Sequence, residues 1–289
     1  MFKTILVPAS GSDKDLVVFG TALQAAQIDQ AHLAFYHLHP GVGDALVHEP
    51  HAGFALGKAL RDLLDDLAET QDRRALLAEH HVRDFCARSQ IRVTDTPLAV
   101  EAVTASWRGG DFGNEYRLIA KARSHDLVVM GRFTEPNGLP ADLLQLMLIE
   151  CGRPILIAAD KAPHSLTGTV MVCWKDAPGP ARAVSVAMPI LARADRVVVV
   201  AVDEGDKATA GSAAAVAQQL AWHHVRATAE VVATNGLSVQ QALLAAAQKC
   251  GADLLVMGGY SKKPLRETIF GGCTDSMLTQ APLPVLMIH

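Results

Sequence analysis

Short apolar runs alternate with longer amphipathic stretches along this chain, and the second half shows the pattern most plainly. The apolar run at 170–174 predicts a strand. Residues 178–194 place Val184, Met188 and Leu191 near helical spacing. Pro178 and Pro180 suit a first helical turn, where a missing N–H costs little. The run at 196–202 is nearly all valine, as expected of a strand buried on both faces. A helix at 208–223, a strand at 225–233, an alanine-rich helix at 239–250 and a strand at 253–257 follow. The segment 265–280 reads as mostly helix and 285–288 as the last strand. Strands alternating with helices predict right-handed βαβ units and a parallel sheet covered on both faces.

The first half follows the same plan with longer insertions. Its strands are expected at 2–7, 31–37, 91–100, 126–130 and 154–157. A long helical stretch at 56–89 is one bent helix or two.

The two halves repeat each other at a spacing of about 130–165 residues. Phe2-Lys3-Thr4-Ile5-Leu6-Val7-Pro8 matches Thr167-Gly168-Thr169-Val170-Met171-Val172-Cys173. His125-Asp126-Leu127-Val128-Val129-Met130-Gly131 matches Ala252-Asp253-Leu254-Leu255-Val256-Met257-Gly258. Gly152-Arg153-Pro154-Ile155-Leu156-Ile157 matches Pro282-Leu283-Pro284-Val285-Leu286-Met287. The polar stretch 158–165, which carries Pro163, reads as the linker, so the expected domains are 1–160 and 166–289. Each is expected to be an open, doubly wound α/β unit.

Composition narrows the class. Half of the 289 residues are hydrophobic and only 5% are aromatic, which favours an alanine- and valine-rich α/β core. A net charge of −4 implies no strong basic face, so nucleic acid is not an expected partner. No run approaches the roughly 20 apolar residues that span a bilayer, and no secretory leader is evident, so no membrane association is expected. The five cysteines are odd in number, dispersed and without a CxxC pair. That argues against a disulfide framework and a cysteine zinc site, and a cytoplasmic location with reduced thiols is expected.

In doubly wound sheets, ligands bind beyond the carboxyl ends of the strands, where the strand order reverses. In the second half the loops there are 174–178 and 258–273. The latter holds Gly258, Gly259, Gly271 and Gly272 around a basic turn containing Lys262, Lys263 and Arg266. Glycines let backbone N–H groups approach an anion closely. A helix starting near Gly272 adds further N–H groups and the positive end of its dipole, worth about 0.3–1 kcal/mol to an exposed charge.

With its strand, glycine loop, helix and Ala281-Pro282-Leu283-Pro284-Val285-Leu286 ending in order, 253–289 resembles the universal stress protein family. The resemblance extends over nearly the whole chain as two tandem copies. It implies a five-stranded parallel sheet of order 3-2-1-4-5 in each half. In single-domain relatives two chains pair along their last strands. That implies an intrachain pseudo-dimer through 154–157 and 284–288, and a further pairing of two chains as a homodimer. Nucleotide-binding members carry G-x2-G-x9-G-[ST] after the fourth strand, around the phosphates of ATP, and an acidic residue after the first strand, on the adenosine side.

Gly258 and Gly271 keep the glycine spacing. The middle glycine is replaced by Ser261 and the final Ser/Thr by Gly272, with Thr274 close behind. The acidic position falls on Lys175, which cannot accept a hydrogen bond, with Asp176 next to it. The resemblance thus implies an ATP or adenine-nucleotide site drawn from Lys175, Asp176, Val202, Gly258, Gly259, Ser261, Gly271, Gly272, Cys273 and Thr274. The opposing reading is that the glycines serve tight turns and helix–sheet packing alone. The first half departs further: Ser10 takes the acidic position, and no G-[ST] follows Gly131 before the next helix. It reads as a non-binding copy.

Other chemistry is sparse. His37, His39, His48 and His51 crowd one loop with Asp44 and Glu49, a donor set that can hold a divalent metal. Solvated loop histidines are the plainer reading, because no HExxH helix or cysteine partner accompanies them. Cys273, near a helix start, is either an activated thiol or a packed one. No G-x-S-x-G elbow and no interpretable acid pair occur, so no catalytic residue is assigned. The expectation is a stress-response regulatory protein that works by binding. The alternatives are slow ATP hydrolysis or phosphotransfer using Asp176 and Thr274, and a metal or small-ligand sensor using the histidine loop.

Overall fold

The computed structural model describes residues 1–37, 57–98, 101–109, 115–132, 142–203, 205, 209–259 and 272–289. Along the first half run β1 (Thr4–Ala9), α1 (Asp15–Asp29), β2 (His32–His37), α2 (Gly57–Arg88), β3 (Arg92–Val93), β4 (Thr104–Arg108), α3 (Glu115–Ala122), β5 (Leu127–Met130), α4 (Leu143–Glu150) and β6 (Ile155–Ile157). The second half contributes β7 (Thr169–Trp174), α5 (Pro178–Leu191), β8 (Arg196–Asp203), α6 (Thr209–Trp222), β9 (Ala227–Ala233), α7 (Val239–Cys250), β10 (Leu254–Gly258), α8 (Gly272–Gln280) and β11 (Val285–Ile288).

The strands form one sheet of order β3-β4-β2-β1-β5-β6-β11-β10-β7-β8-β9. Within it, β9-β8-β7-β10-β11 is the expected 3-2-1-4-5 order, and β4-β2-β1-β5-β6 repeats it. The halves join through an antiparallel pair, with Leu286 opposite Leu156 and Met287 opposite Ile155. Both last strands are therefore consumed inside the chain, as the intrachain pairing requires.

One element is corrected. The third strand of the first half is β4 rather than 91–100: β4 pairs with His32 to Tyr36 of β2, while among the described residues of 91–100 only Arg92 and Val93 add an outer parallel strand. The chain turns after Val93: the Thr94 hydroxyl donates to the Thr96 carbonyl at 3.0 Å and accepts the Thr96 N–H at 3.3 Å. Pro97 then offers no N–H for a ladder. β4 escapes a search for apolar runs because it buries Thr104 and Ser106. Their hydroxyls share hydrogen bonds of 2.9 Å with the two ring nitrogens of His32.

Alternate strand residues feed two cores. Val197, Val199 and Ala201 of β8 pack on one face with α1, α2, α5 and α6, while Val198, Val200 and Val202 pack on the other with α3, α4, α7 and α8. The repeated Asp-Leu motif has a structural reason. Asp126 Oδ2 accepts the N–H groups of Lys3 and Thr4 at 2.9 and 3.0 Å, and Asp253 Oδ2 accepts that of Thr169 at 2.8 Å. Each aspartate pins the start of the first strand of its own half to the fourth.

Candidate functional site

The ends of β7, β8 and β10 meet where the strand order of the second half reverses, and a cavity of about 530 Å³ opens there. That volume lies within the roughly 300–1,000 Å³ of small-molecule sites. Four helices begin around it, α6 among them at Thr209. α5 starts at Pro178 after an extended Ala177, with proline in its first turn. α7 starts in a capping box, in which Gln241 N–H donates to Ser238 Oγ at 3.2 Å and Ser238 N–H donates to Gln241 Oε1 at 3.0 Å. α8 starts at Gly272, whose φ of 39° lies in the left-handed region that favours glycine.

The end of β7 supplies one wall. Trp174 Nε1–H donates to Ser212 Oγ at 3.1 Å, and the Ser212 hydroxyl donates to the Thr209 carbonyl at 3.1 Å. The indole is thereby fixed against α6. Lys175 and Asp176 follow at the rim, both exposed. Val202 closes the β8 side, and Val239 and Leu243 of α7 add apolar surface. Cys273 and Thr274, from the first turn of α8, face the same space.

Gly258 is required by packing. A Cβ built there falls 2.5 Å from the Gly179 carbonyl carbon and 2.6 Å from the Pro180 nitrogen, so the end of β10 touches the first turn of α5. A Cβ at Gly259 falls 2.9 Å from Leu148 Cδ2 of the first half. Burial, with a lesser contribution from the Cys273 and Cys250 thiols, pushes the Cys173 thiol far up. Cys173 is thus a packed thiol in the cavity floor, with no thiolate to act as a nucleophile.

Of the sequence candidates, Lys175, Asp176, Val202, Gly258, Gly259, Cys273 and Thr274 line one cavity. Gly272 stands at the start of α8 without lining it. Ser261 and Gly271 lie outside the described residues, as do Lys262, Lys263 and Arg266. Sequence reasoning missed Trp174, Gly179, Ser212, Val239 and Leu243. Trp174 opens the loop 174–178 expected from the sequence, and Gly179 follows it directly. Ser212 and Leu243 come from helices whose rotation about their axes no local motif announces.

The equivalent loop of the first half is filled from within. The buried Asp15 carboxylate accepts Ser10 N–H at 2.9 Å, the Ser10 hydroxyl at 2.7 Å and Gly11 N–H at 2.8 Å. His81 of α2 adds a contact at 3.3 Å. Gly11, with φ of 76°, faces the Arg74 carbonyl so closely that no Cβ fits between them. Donors that could meet an anion are thus turned to the protein's own carboxylate. His37 of the histidine-rich segment is buried, and its Nδ1–H donates to the Ala9 carbonyl at 2.8 Å. His39, Asp44, His48, Glu49 and His51 lie outside the described residues. Among the described residues, no group of three His, Cys, Asp or Glu is placed to hold a metal, and no helix is long and apolar enough to cross a membrane.

The architecture is that of a tandem, doubly wound α/β protein with a ligand-sized cavity at one topological switch point. The sequence profile of the universal stress protein family matches it twice, over residues 1–139 and 153–289. The chain belongs to the universal stress protein family. The fold is similar to that of a universal stress protein from Archaeoglobus fulgidus DSM 4304, with a TM-score of 0.69 and 14% identity over 99% of this chain and 97% of that one. It is also similar to a putative universal stress protein from Pseudomonas aeruginosa UCBPP-PA14, with a TM-score of 0.53 and 14% identity over 99% and 93% of the two chains. A functionally unknown protein from Pseudomonas aeruginosa PAO1 matches with a TM-score of 0.53 and 14% identity over 99% and 92%. Comparison with curated proteins finds no match.

Proposed function

We propose that this chain is a stress-response regulatory protein that works by binding an adenine nucleotide, ATP foremost, in the second-half cavity, without turnover as its task. The observation that carries the reading is the convergence of the ends of β7 and β10 and the first turn of α8 on one space of about 530 Å³. Trp174, Val202 and Leu243 offer a base apolar surface, and the α8 N-terminus offers N–H groups to phosphate. Lys175 and Asp176 at the rim give one donor and one acceptor for polar substituents. The first half is the non-binding partner, its loop satisfied by Asp15.

Titration calorimetry with ATP and Mg²⁺ tests the reading. Saturable binding is expected in the native protein, and its loss is expected in Val202→Trp, which fills the cavity. No heat, together with a melting temperature unmoved by millimolar ATP, contradicts it, because a ligand of the folded state alone must stabilise that state.

A slow hydrolase is the second reading, because Asp176 and Thr274 face the same cavity. Phosphate release abolished by Asp176→Asn, with ATP affinity kept, is what it requires. The expected homodimer must use a surface other than β6 and β11, which already pair with each other. Sedimentation equilibrium decides between one chain and two.

A further inference from the structure

Arg132 follows β5 at the repeat position that Gly259 occupies after β10, as Met130-Gly131-Arg132 against Met257-Gly258-Gly259 shows. Its guanidinium reaches across to the second half. Nε donates to the Leu278 carbonyl at 3.0 Å, Nη2 to the Leu283 carbonyl at 3.2 Å and Nη1 to the Ala158 carbonyl at 2.7 Å. Leu278 lies in the last turn of α8, where carbonyls have no partner within the helix. A cation there also meets the negative end of the helix dipole. Leu283 lies between α8 and β11, and Ala158 just beyond β6. One side chain thus ties the C-terminal end of α8, its exit loop and the end of β6 together. Burial lowers the Arg132 pKa to about 10, which leaves the group charged at neutral pH.

The other end of α8 carries Cys273 and Thr274 into the cavity. Nine helical residues at about 1.5 Å each make a short, stiff rod, so fixing one end fixes the other. The contact is reciprocal across the junction, since Gly259 at the cavity lies against Leu148 of α4 in the first half. Each half touches the last helix of the other just beyond its fourth strand.

We propose that Arg132 is a positioning residue through which the first half sets the geometry, and hence the ligand affinity, of the second-half cavity. The affinity part rests on the cavity being the nucleotide site; the geometric part does not. The test compares the full chain with Arg132→Met and Arg132→Lys. It measures the iodoacetamide alkylation rate of Cys273 relative to Cys250, and the ATP dissociation constant with Mg²⁺. Cys250 is the internal control, because it is also partly buried but sits at the far end of α7.

In Arg132→Met the Cys273 to Cys250 rate ratio is expected to rise, and the ATP dissociation constant to increase, each by about 3- to 30-fold. Arg132→Lys, which keeps a charge and a donor, lies between Met and the native protein. A ratio unchanged from native overturns the proposal, as does an equal rise at both cysteines, which reports general loosening. Should Arg132→Met fail to fold, the ratio in Arg132→Lys decides on the same terms. If ATP binds neither protein while the ratio still rises, the positioning role stands and the nucleotide reading falls. If ATP binds both equally and the ratio is unchanged, the reverse holds.

Discussion

Gly258 and Pro180 touch so closely that a Cβ on the glycine would fall 2.6 Å from the proline nitrogen. This contact joins the end of β10 to the start of α5 within the cavity wall. The first glycine of the loop is therefore needed for packing whether or not a ligand binds. Gly258→Ala is expected to destabilise the protein by about 1–3 kcal/mol, the usual cost of overfilling a tight contact. Urea denaturation measures it. A variant as stable as the native protein contradicts the packing account and returns the glycine to ligand binding alone.

Asp15 does for the first-half loop what a bound anion would do. Its carboxylate satisfies three donors from Ser10 and Gly11 and lies against His81. Asp15→Ala strands those buried donors, and a loss of about 2–4 kcal/mol is expected. Added phosphate or sulfate should restore part of that stability in the variant and none in the native protein. Thermal melts with and without phosphate read this out. Equal salt response in both proteins contradicts the account.

Two histidines of the first half give a pH signature. Burial, helped by the nearby His125 and Arg108 charges, lowers the pKa of His32. Burial also lowers that of His125, against the pull of its bond to the Lys121 carbonyl. An unfolded histidine titrates near 6.5, so below that pH the unfolded chain binds protons that the folded chain refuses. The stability tied to neutral histidine is complete above about pH 6.5 and is lost as pH falls through the window beneath it. Asp126 acts lower. Burial raises its pKa, but hydrogen bonds from Lys3 and Thr4 outweigh that and hold it below 3.8, so its contribution is lost only in stronger acid. The melting temperature should decline from about pH 6.5 toward pH 5, and less steeply in His32→Gln. Parallel curves for the two proteins argue against the assignment.

Much of this fold was legible in the sequence, and the reasons are physical. β1, β5, β7, β8 and β10 are buried on both faces, so they appear as unbroken apolar runs, and each half repeats them. The aspartates that pin neighbouring strands, Asp126 and Asp253, appear as a repeated motif for the same reason. β4 was missed because its inward Thr104 and Ser106 are satisfied by His32, a partner 72 and 74 residues away in the chain. At the site, the loops at the strand ends were found because topology fixes where ligands go. Trp174 was hidden because its role depends on Ser212, 38 residues on, and Arg132 because two of its three partners belong to the other half of the molecule. The closing of the first-half loop by Asp15 also had no signature beyond a polar turn.

The central claim is that a nucleotide binds at the ends of β7 and β10 and nowhere in the first half. Photolabelling the native protein with an azido-adenosine triphosphate, then mapping the labelled peptides by mass spectrometry, tests it most directly. The account predicts label in the segment spanning Trp174 to Pro180 or in the first turn of α8, competed away by unlabelled ATP. Competed label in the segment spanning Ser10 to Asp15, or labelling that ATP does not compete at all, contradicts it.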